Sequence, residues 1–322
     1  FRAGSLDLEM KEIKIYCDKD GWADRTEVVQ HDESHQLIEE FMLLANESVA
    51  TALDKASIPH VNRVHDDPDP EKLAALREEL AGNGFKVGDL THRSEMVKLL
   101  ASLKDREDGY TIRIQLLRSL KQACYRPSPD GHFGLAKLHY SHFTSPIRRY
   151  SDLLEHRIFD AYIQKQGVRS APKEPLRSPG IGELTRSCEH ISITERNSSE
   201  AERDSVKIKL LELFEREAAR PDKRPFEATI TDVKPHGLMV ELNASQAYGL
   251  VHMSTLTDDY YRLNDRGNML VGSRTGRKFM PGGVIQVTVD RVDRFKRQVD
   301  FRLYDDRQVQ KPRGPERRKG QR

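Results

Sequence analysis

Apolar positions recur along this chain at two different periods, and the change from one to the other divides it. Leu37, Phe41, Leu44, Ala45, Val49, Ala52 and Leu53 fall at helical spacing, and Asp32 is placed to cap the helix they predict. Asp69 followed by Pro70 opens a second helix, with Leu73, Leu76 and Leu80 inward and Gly82 and Gly84 ending it. Amphipathic stretches follow over about 95–103 and 110–125. A further helix is predicted from near Pro146 to about Gln166, where Gly167 and a proline-rich segment interrupt. Leu184, Cys188, Ile191, Leu210 and Phe214 imply one or two long helices from Ile181 to about Arg216. Ahead of all these, Ile13, Ile15 and the turn-forming Asp18-Lys19-Asp20-Gly21 before Trp22 predict a hairpin. At 219–225 the period drops to two. Leu238, Val240 and Leu242 alternate with polar neighbours, as do Ile285, Val287, Val289 and then Val299, Phe301, Leu303. With Gly237, Gly249 and Gly282-Gly283 as punctuation, this predicts a small β-barrel of about 80 residues.

A length of 322 residues suits two domains, and 32% charged residues against a usual figure of about 25% implies much solvated surface. Net charge is only +2, so no global field announces a polyanionic partner. The charge is unevenly spread, however: residues 307–322 carry a net +6, leaving −4 for the rest. No window approaches a membrane span, and Phe1-Arg2-Ala3-Gly4 shows neither a signal peptide nor an initiator Met, so the chain reads as a cytoplasmic fragment. Cys17, Cys124 and Cys188 lie far apart without CxxC spacing, which excludes a cysteine zinc site and fits a reducing compartment.

The densest chemistry lies at His139-Tyr140-Ser141-His142-Phe143-Thr144-Ser145-Pro146-Ile147-Arg148-Arg149-Tyr150-Ser151-Asp152. Ser145 suits an N-cap and Pro146 the first helical position, which puts Arg148 and Arg149 in the first turn. Cations there oppose the helix dipole at a cost of roughly 0.3 to 1 kcal/mol each, unless an anion such as a phosphate lies nearby. The competing reading is an ordinary capped helix, with Ile147, Tyr150, Leu154 and Ile158 inward and Arg148 paired to Asp152. Among carboxylate clusters, only His65-Asp66-Asp67-Pro68-Asp69-Pro70 is a candidate for a metal, and Asp69 is better explained as a cap. Asp258-Asp259 and Asp305-Asp306 read as solvated loop acids, and no Ser/His/Asp triad or phosphate loop is present.

The run His132-Phe133-Gly134-Leu135, then Tyr140 through Arg157, closely resembles the signature of the ribonuclease II/ribonuclease R (RNB) family of 3′→5′ exoribonucleases. Gly4-Ser5-Leu6-Asp7, Leu37 to Asn46, Arg63-Val64-His65, Thr194-Glu195-Arg196 and Glu200 to Asp204 agree with it. The β module resembles the family's S1 RNA-binding domain, and Asp259-Tyr260-Tyr261-Arg262 with the basic tail is nearer the ribonuclease R branch. The resemblance implies an α+β fold: the C-terminal, helical part of an RNB catalytic domain over 1–220, a five-stranded OB barrel over 225–304, and a basic disordered tail over 305–322. It further implies processive hydrolysis of single-stranded RNA to nucleoside 5′-monophosphates with Mg²⁺. The family's metal-binding aspartate motif, DxxxxxDxDD-like, is not in this sequence; in the family it lies upstream of the position matching Phe1. The chain alone is therefore expected to be inactive, with the upstream half of the catalytic domain as its partner, and the intact protein to be a monomer. The alternative is a non-catalytic module that tethers RNA.

Residue by residue, Arg148 matches the arginine that contacts the scissile phosphate. Arg149 is read either as a contact to the adjacent phosphate or as a structural ion pair. Glu39 matches a glutamate near the 3′-terminal nucleotide, and otherwise sits on a solvated helix face. Glu202 and Arg203 match the RNA channel wall loosely; His142 either lines the channel or is a hydrogen-bonded structural histidine. Tyr140 and Tyr150 are expected to be packing residues. In the barrel, Phe226, His236, His252 and Arg291 resemble the family's binding face, with Lys234 and Arg294 nearby. The tail is expected to bind phosphates or the ribosome in a salt-dependent way.

Overall fold

The computed structural model describes residues 4–6, 12–29, 32–82, 84–103, 106, 109–168, 178–264 and 267–304, so the expected tail lies outside the described residues. The predicted hairpin forms: β1 (Ile13–Cys17) pairs antiparallel with β2 (Ala23–Val28). Asp18 makes its turn by accepting from the amides of Asp20 and Trp22, and Gly21 takes the positive φ, 80°, that the turn requires. Helices α1 (Glu33–Lys55), α2 (Pro70–Gly82), α3 (Arg93–Ser102) and α4 (Gly109–Ser119) follow, with the short strand β3 (Asn62–Val64) after α1. Asp32 caps α1 as expected, its carboxylate accepting from Ser34 N at 3.1 Å and His35 N at 3.0 Å. Asp69 does the same for α2 through Glu71 N at 3.0 Å. The amphipathic stretch expected to run on to residue 125 stops at Ser119, because Cys124–Arg126 is captured as strand β4 by antiparallel pairing with β3. Next come α5 (Tyr150–Lys165) and α6 (Ile181–Ala219), the latter one unbroken helix of 39 residues.

Two compact units result: one takes residues up to Glu12 and Val29–Ser205, the other Ile13–Val28 and everything from Val206. The first holds two cores. Leu73, Leu76, Leu80, Met96, Leu100 and Leu116 join α2, α3 and α4; Val49, Leu53, Tyr125, Ile158, Leu184 and Cys188 join the end of α1 to α5 and α6. The stripe predicted for α1 is only half buried. Val49 and Leu53 are in the core, whereas Leu37, Phe41 and Leu44 are 57%, 60% and 59% exposed.

In the second unit, β5 (Phe226–Lys234), β6 (Gly237–Leu242), β7 (Tyr248–His252), β11 (Val284–Asp293) and β12 (Gln298–Leu303) close into a barrel of order β11-β12-β7-β6-β5, antiparallel except for β12 beside β7. The predicted alternation holds: Leu238, Val240, Val287, Val289, Val299 and Phe301 fill the interior. A Cβ at Gly249 would fall 2.3 Å from the Phe301 ring, so the wall closes over that ring only with glycine there. Between β7 and β11 the chain builds a separate three-stranded sheet that the pattern did not announce, of β8 (Tyr261–Leu263), β9 (Leu270–Gly272) and β10 (Lys278–Phe279). Runs of two or three residues are too short to show a period. The hairpin belongs to this unit through the end of α6. Arg216 pairs with Asp18 at 3.1 Å and donates to Ala23 O, its guanidinium 5.9 Å from the Trp22 ring, and Lys209 donates to Gly21 O. Among the described residues no helix is long and apolar enough to cross a membrane.

Candidate nucleic-acid interface

The Ser145–Asp152 segment departs from the predicted capped helix in an informative way. Asp152 is fully buried, and its carboxylate accepts from Ser145 N at 2.8 Å, from the Arg149 guanidinium at 2.7 Å and from Ser151 Oγ at 3.0 Å. These bonds fold Ser145–Arg148 into a separate turn, with the amides of Arg148 and Arg149 returning to Ser145 O, and leave Arg149 extended ahead of α5. The helix therefore starts at Tyr150 rather than near Pro146, and neither arginine lies in its first turn. Ile147 and Tyr150, expected inward, are exposed, while Leu154 and Ile158 are buried as expected. The partner of Asp152 is Arg149 rather than Arg148, the ion pair that one of the two readings of Arg149 expects. Arg148 projects into solvent with no ion-pair partner among the described residues.

Both arginines line a cavity of about 930 Å³, open on one side, between this turn and α6. Helix α6 contributes a polar stripe at three- and four-residue steps that includes Glu183, Arg186, His190, Thr194, Ser198 and Glu202. Arg186, exposed and also without an ion-pair partner among the described residues, was not singled out by sequence reading. The stripe itself was the available signal, adjoining the apolar positions Leu184, Cys188 and Ile191. Of the expected residues, Arg148, Arg149 and Glu202 come together here. Arg203 does not; its Nε donates to Ser199 O of its own helix. Glu39 lies exposed on α1 and is not part of the cavity wall.

The His142 ring is half-buried, hydrogen-bonded and not part of the cavity wall. Its Nδ1 is 2.8 Å from Tyr125 Oη, and burial, reinforced by Arg149 and Arg63, pushes its pKa down to about 2. Arg63 covers the Tyr125 ring at 4.6 Å and bonds to Glu195 at 2.6 Å, tying this layer to α6. Tyr140 packs as expected, its hydroxyl accepting from Asn46 Nδ2, while Asn46 Oδ1 accepts from Phe143 N. Three members of the His65–Pro70 cluster are engaged elsewhere: Asp66 grips Arg126 through two bonds of 2.8 Å, Asp69 caps α2, and both His65 ring nitrogens bond to backbone. Among the described residues no three His, Cys, Asp or Glu side chains converge as metal ligands, so the donor set present does not fit a divalent cation.

On the barrel, Phe226 must be reassigned. Its position in the strand alternation turns it to the interior, where its ring lies 6.0 Å from Phe214 and packs against the core. His236, His252 and Arg291 are exposed. Gly237 pairs with His252, so His236 and His252 occupy neighbouring register positions, and His252 Nδ1 caps the turn at Ser254. Register aligns Arg291, Asp300, Leu250 and Met239 in one outward row across four strands. Lys234 and Arg294 are paired with Asp232 and Glu215. Two aromatics were missed. Tyr248 is 48% exposed on β7, and Phe295 is wholly exposed at the β11–β12 turn between Arg294 and Lys296. Asp258 and Asp259 are not idle loop acids: Asp259 accepts from the amides of Tyr260, Arg274 and Thr275, and Asp258 from Tyr261 Oη and Arg277.

Comparison with known proteins places this geometry. The RNB domain profile matches residues 1–165 and the S1 RNA binding domain profile residues 223–303. Ribonuclease R of Thermotoga maritima is 37% identical over 307 residues, 95% of this chain and 42% of that protein. Ribonuclease R of Escherichia coli is 35% identical over 304 residues, 93% of this chain and 37% of that protein. The chain thus spans less than half the length of these relatives. Among solved structures, Mycoplasma genitalium RNase R in complex with ribose methylated single-stranded RNA matches with a TM-score of 0.77 and 26% identity, over 94% of this chain and 47% of that one. A yeast pseudonuclease shares the fold at a TM-score of 0.59 and 22% identity, over 77% of this chain and 29% of that one. An arginine-lined cavity at the RNB signature in one unit and a five-stranded OB barrel in the other agree with these matches, and the chain belongs to the RNB family, the ribonuclease II/ribonuclease R group.

Proposed function

We propose that this chain is the RNA-gripping part of a processive 3′→5′ exoribonuclease that degrades single-stranded RNA to nucleoside 5′-monophosphates. The observation that carries the reading is the division of labour between adjacent arginines. Asp152 neutralises Arg149 and fixes the turn, while Arg148 is held at the cavity mouth with its charge uncommitted. A guanidinium so placed can form paired hydrogen bonds to a phosphodiester, and can stabilise charge that develops there without reorganising. Arg186 and Glu202 would border the strand from α6. In the second unit, His236, His252, Tyr248 and Arg291 would hold nucleotides further along by stacking and phosphate contact.

Divalent metal dependence is general in this family, with Mg²⁺ the ion the resemblance implies. The described residues do not assemble its ligands and no hydrolytic step is assigned to them; by the resemblance, aspartates upstream would hold the ion. The exposed apolar side chains on the first turns of α1 support a partner on that side of the first unit. The basic tail would add a salt-sensitive phosphate or ribosome contact.

The test uses labelled oligo(A). The chain alone should bind it with an affinity that falls as salt rises and release no mononucleotide in Mg²⁺, and addition of the segment matching the remainder of the relatives' RNB domain should start release. In the joined protein, Arg148→Ala should lower turnover well beyond its effect on RNA affinity. Binding that never leads to release, even with the added segment, would favour the tethering module instead.

A further inference from the structure

We propose that the outward face of the three-stranded sheet β8–β10 is a second contact surface for single-stranded RNA, distinct from the barrel wall. The inference rests on reading the second unit as RNA-binding, and adds to it a site that no sequence resemblance assigned.

The sheet has two unlike faces. Tyr261, Leu270 and Phe279 are buried in the core of the unit, with Leu263 packed against it. The alternate residues form one cross-strand row, because Arg262 pairs in register with Val271 and Val271 with Lys278. Strand spacing of about 4.8 Å puts the two cations roughly 10 Å apart, a span that a flexible phosphodiester chain bridges with a nucleotide or two. Tyr260, 69% exposed and preceding β8, presents its ring beside this row, with the Arg262 guanidinium 5.4 Å from its centre.

Charge decides what such a face would hold. Neighbouring cations are committed: Arg277 to the Asp258 carboxylate at 3.2 Å, and Arg274 to the Asp258 carbonyl at 2.8 Å. The two acids are committed as well, Asp259 to backbone amides of the β9–β10 turn and Asp258 to Tyr261 and Arg277. Arg262 and Lys278 alone in this row carry charge, and neither has a carboxylate partner among the described residues. Unpaired cations at both ends of a face are unfavourable at the centre of a protein interface. Beside an exposed tyrosine, they suit a strand that offers a base to stack and phosphates to neutralise.

The experiment compares the full chain with Tyr260→Ala and with the double variant Arg262→Gln/Lys278→Gln, using labelled oligo(U) and fluorescence anisotropy over a KCl series. Tyr260→Ala should weaken binding at least about 5-fold. The double variant should flatten the slope of log affinity against log salt by about 1.4, as expected for two lost phosphate contacts on a single strand. In the unaltered chain, 4-thiouridine in the oligonucleotide should photocrosslink to the peptide bearing Tyr260, which keeps the inference testable should a variant misfold. Wild-type affinity and slope in both variants, with crosslinks confined to the barrel strands, would overturn it while leaving the RNA reading of the unit intact. Equal competition by poly-glutamate, with Tyr260→Ala silent, would assign the face to an acidic peptide and overturn it too. Absence of any oligo(U) binding by the unaltered chain would remove the underlying RNA reading itself.

Discussion

Arg148 and Arg149 differ by one position and by almost everything else. Arg149 shares a fully buried carboxylate with the Ser145 amide, so Asp152→Ala would strand a half-buried guanidinium and release the turn. The expected loss is about 3 kcal/mol in urea unfolding. Arg148→Ala, which removes an exposed side chain with no ion pair among the described residues, should change stability by less than about 0.5 kcal/mol. A second residue-scale contrast concerns protons. His60 is buried between Glu155, at 2.8 Å, and Asp54, at 3.1 Å. Burial opposes its charge, but the two carboxylates outweigh burial and raise its pKa. Its contribution to stability is therefore complete below the unfolded value of about 6.5 and disappears as pH rises through the higher folded value. His60→Gln should cost more stability at pH 5.5 than at pH 9. His142 acts in the opposite sense, since its lowered pKa makes folding less favourable as pH falls below about 6.5. His142→Gln should accordingly flatten the acid limb of the unfolding profile.

At the scale of elements, what could be read from sequence depended on whether the cause was local. The caps at Asp32 and Asp69, the Asp18–Gly21 turn and the barrel alternation each rest on residues within a few positions of one another, and all formed. The start of α5 was misread because a buried acid seven residues on captures the Ser145 amide, and no periodicity reveals that capture. Strand β4 was misread as helix because its partner β3 lies some sixty positions earlier. Phe226 was read as a ligand contact from its resemblance, although its parity with Ala228 and Ile230 already pointed inward. The cavity was half legible: Arg148, Arg149 and Glu202 came from motif, whereas Arg186 needed the helix face. Gly249 gives an element-scale prediction. Gly249→Ala would drive a methyl group into the Phe301 ring and the Val299 carbonyl, and should destabilise the barrel by about 1–3 kcal/mol in denaturant, with the first unit's transition unmoved.

At the scale of the whole molecule, each unit is assembled from two stretches of chain, because Ile13–Val28 is built into the unit that otherwise begins at Val206. The acidic turn, the tryptophan and the buried Ala23 of that hairpin meet Lys209 and Arg216, nearly two hundred positions later. Order of synthesis then matters. The ribosome emits the hairpin nearly two hundred residues before the helix end that receives it, so the ribbon must wait undocked while the intervening chain is made. Proteolysis after Val28 would leave the hairpin joined by covalent bonds only to the residues ahead of it, while Arg216 and Lys209 would still hold it in its seat on α6.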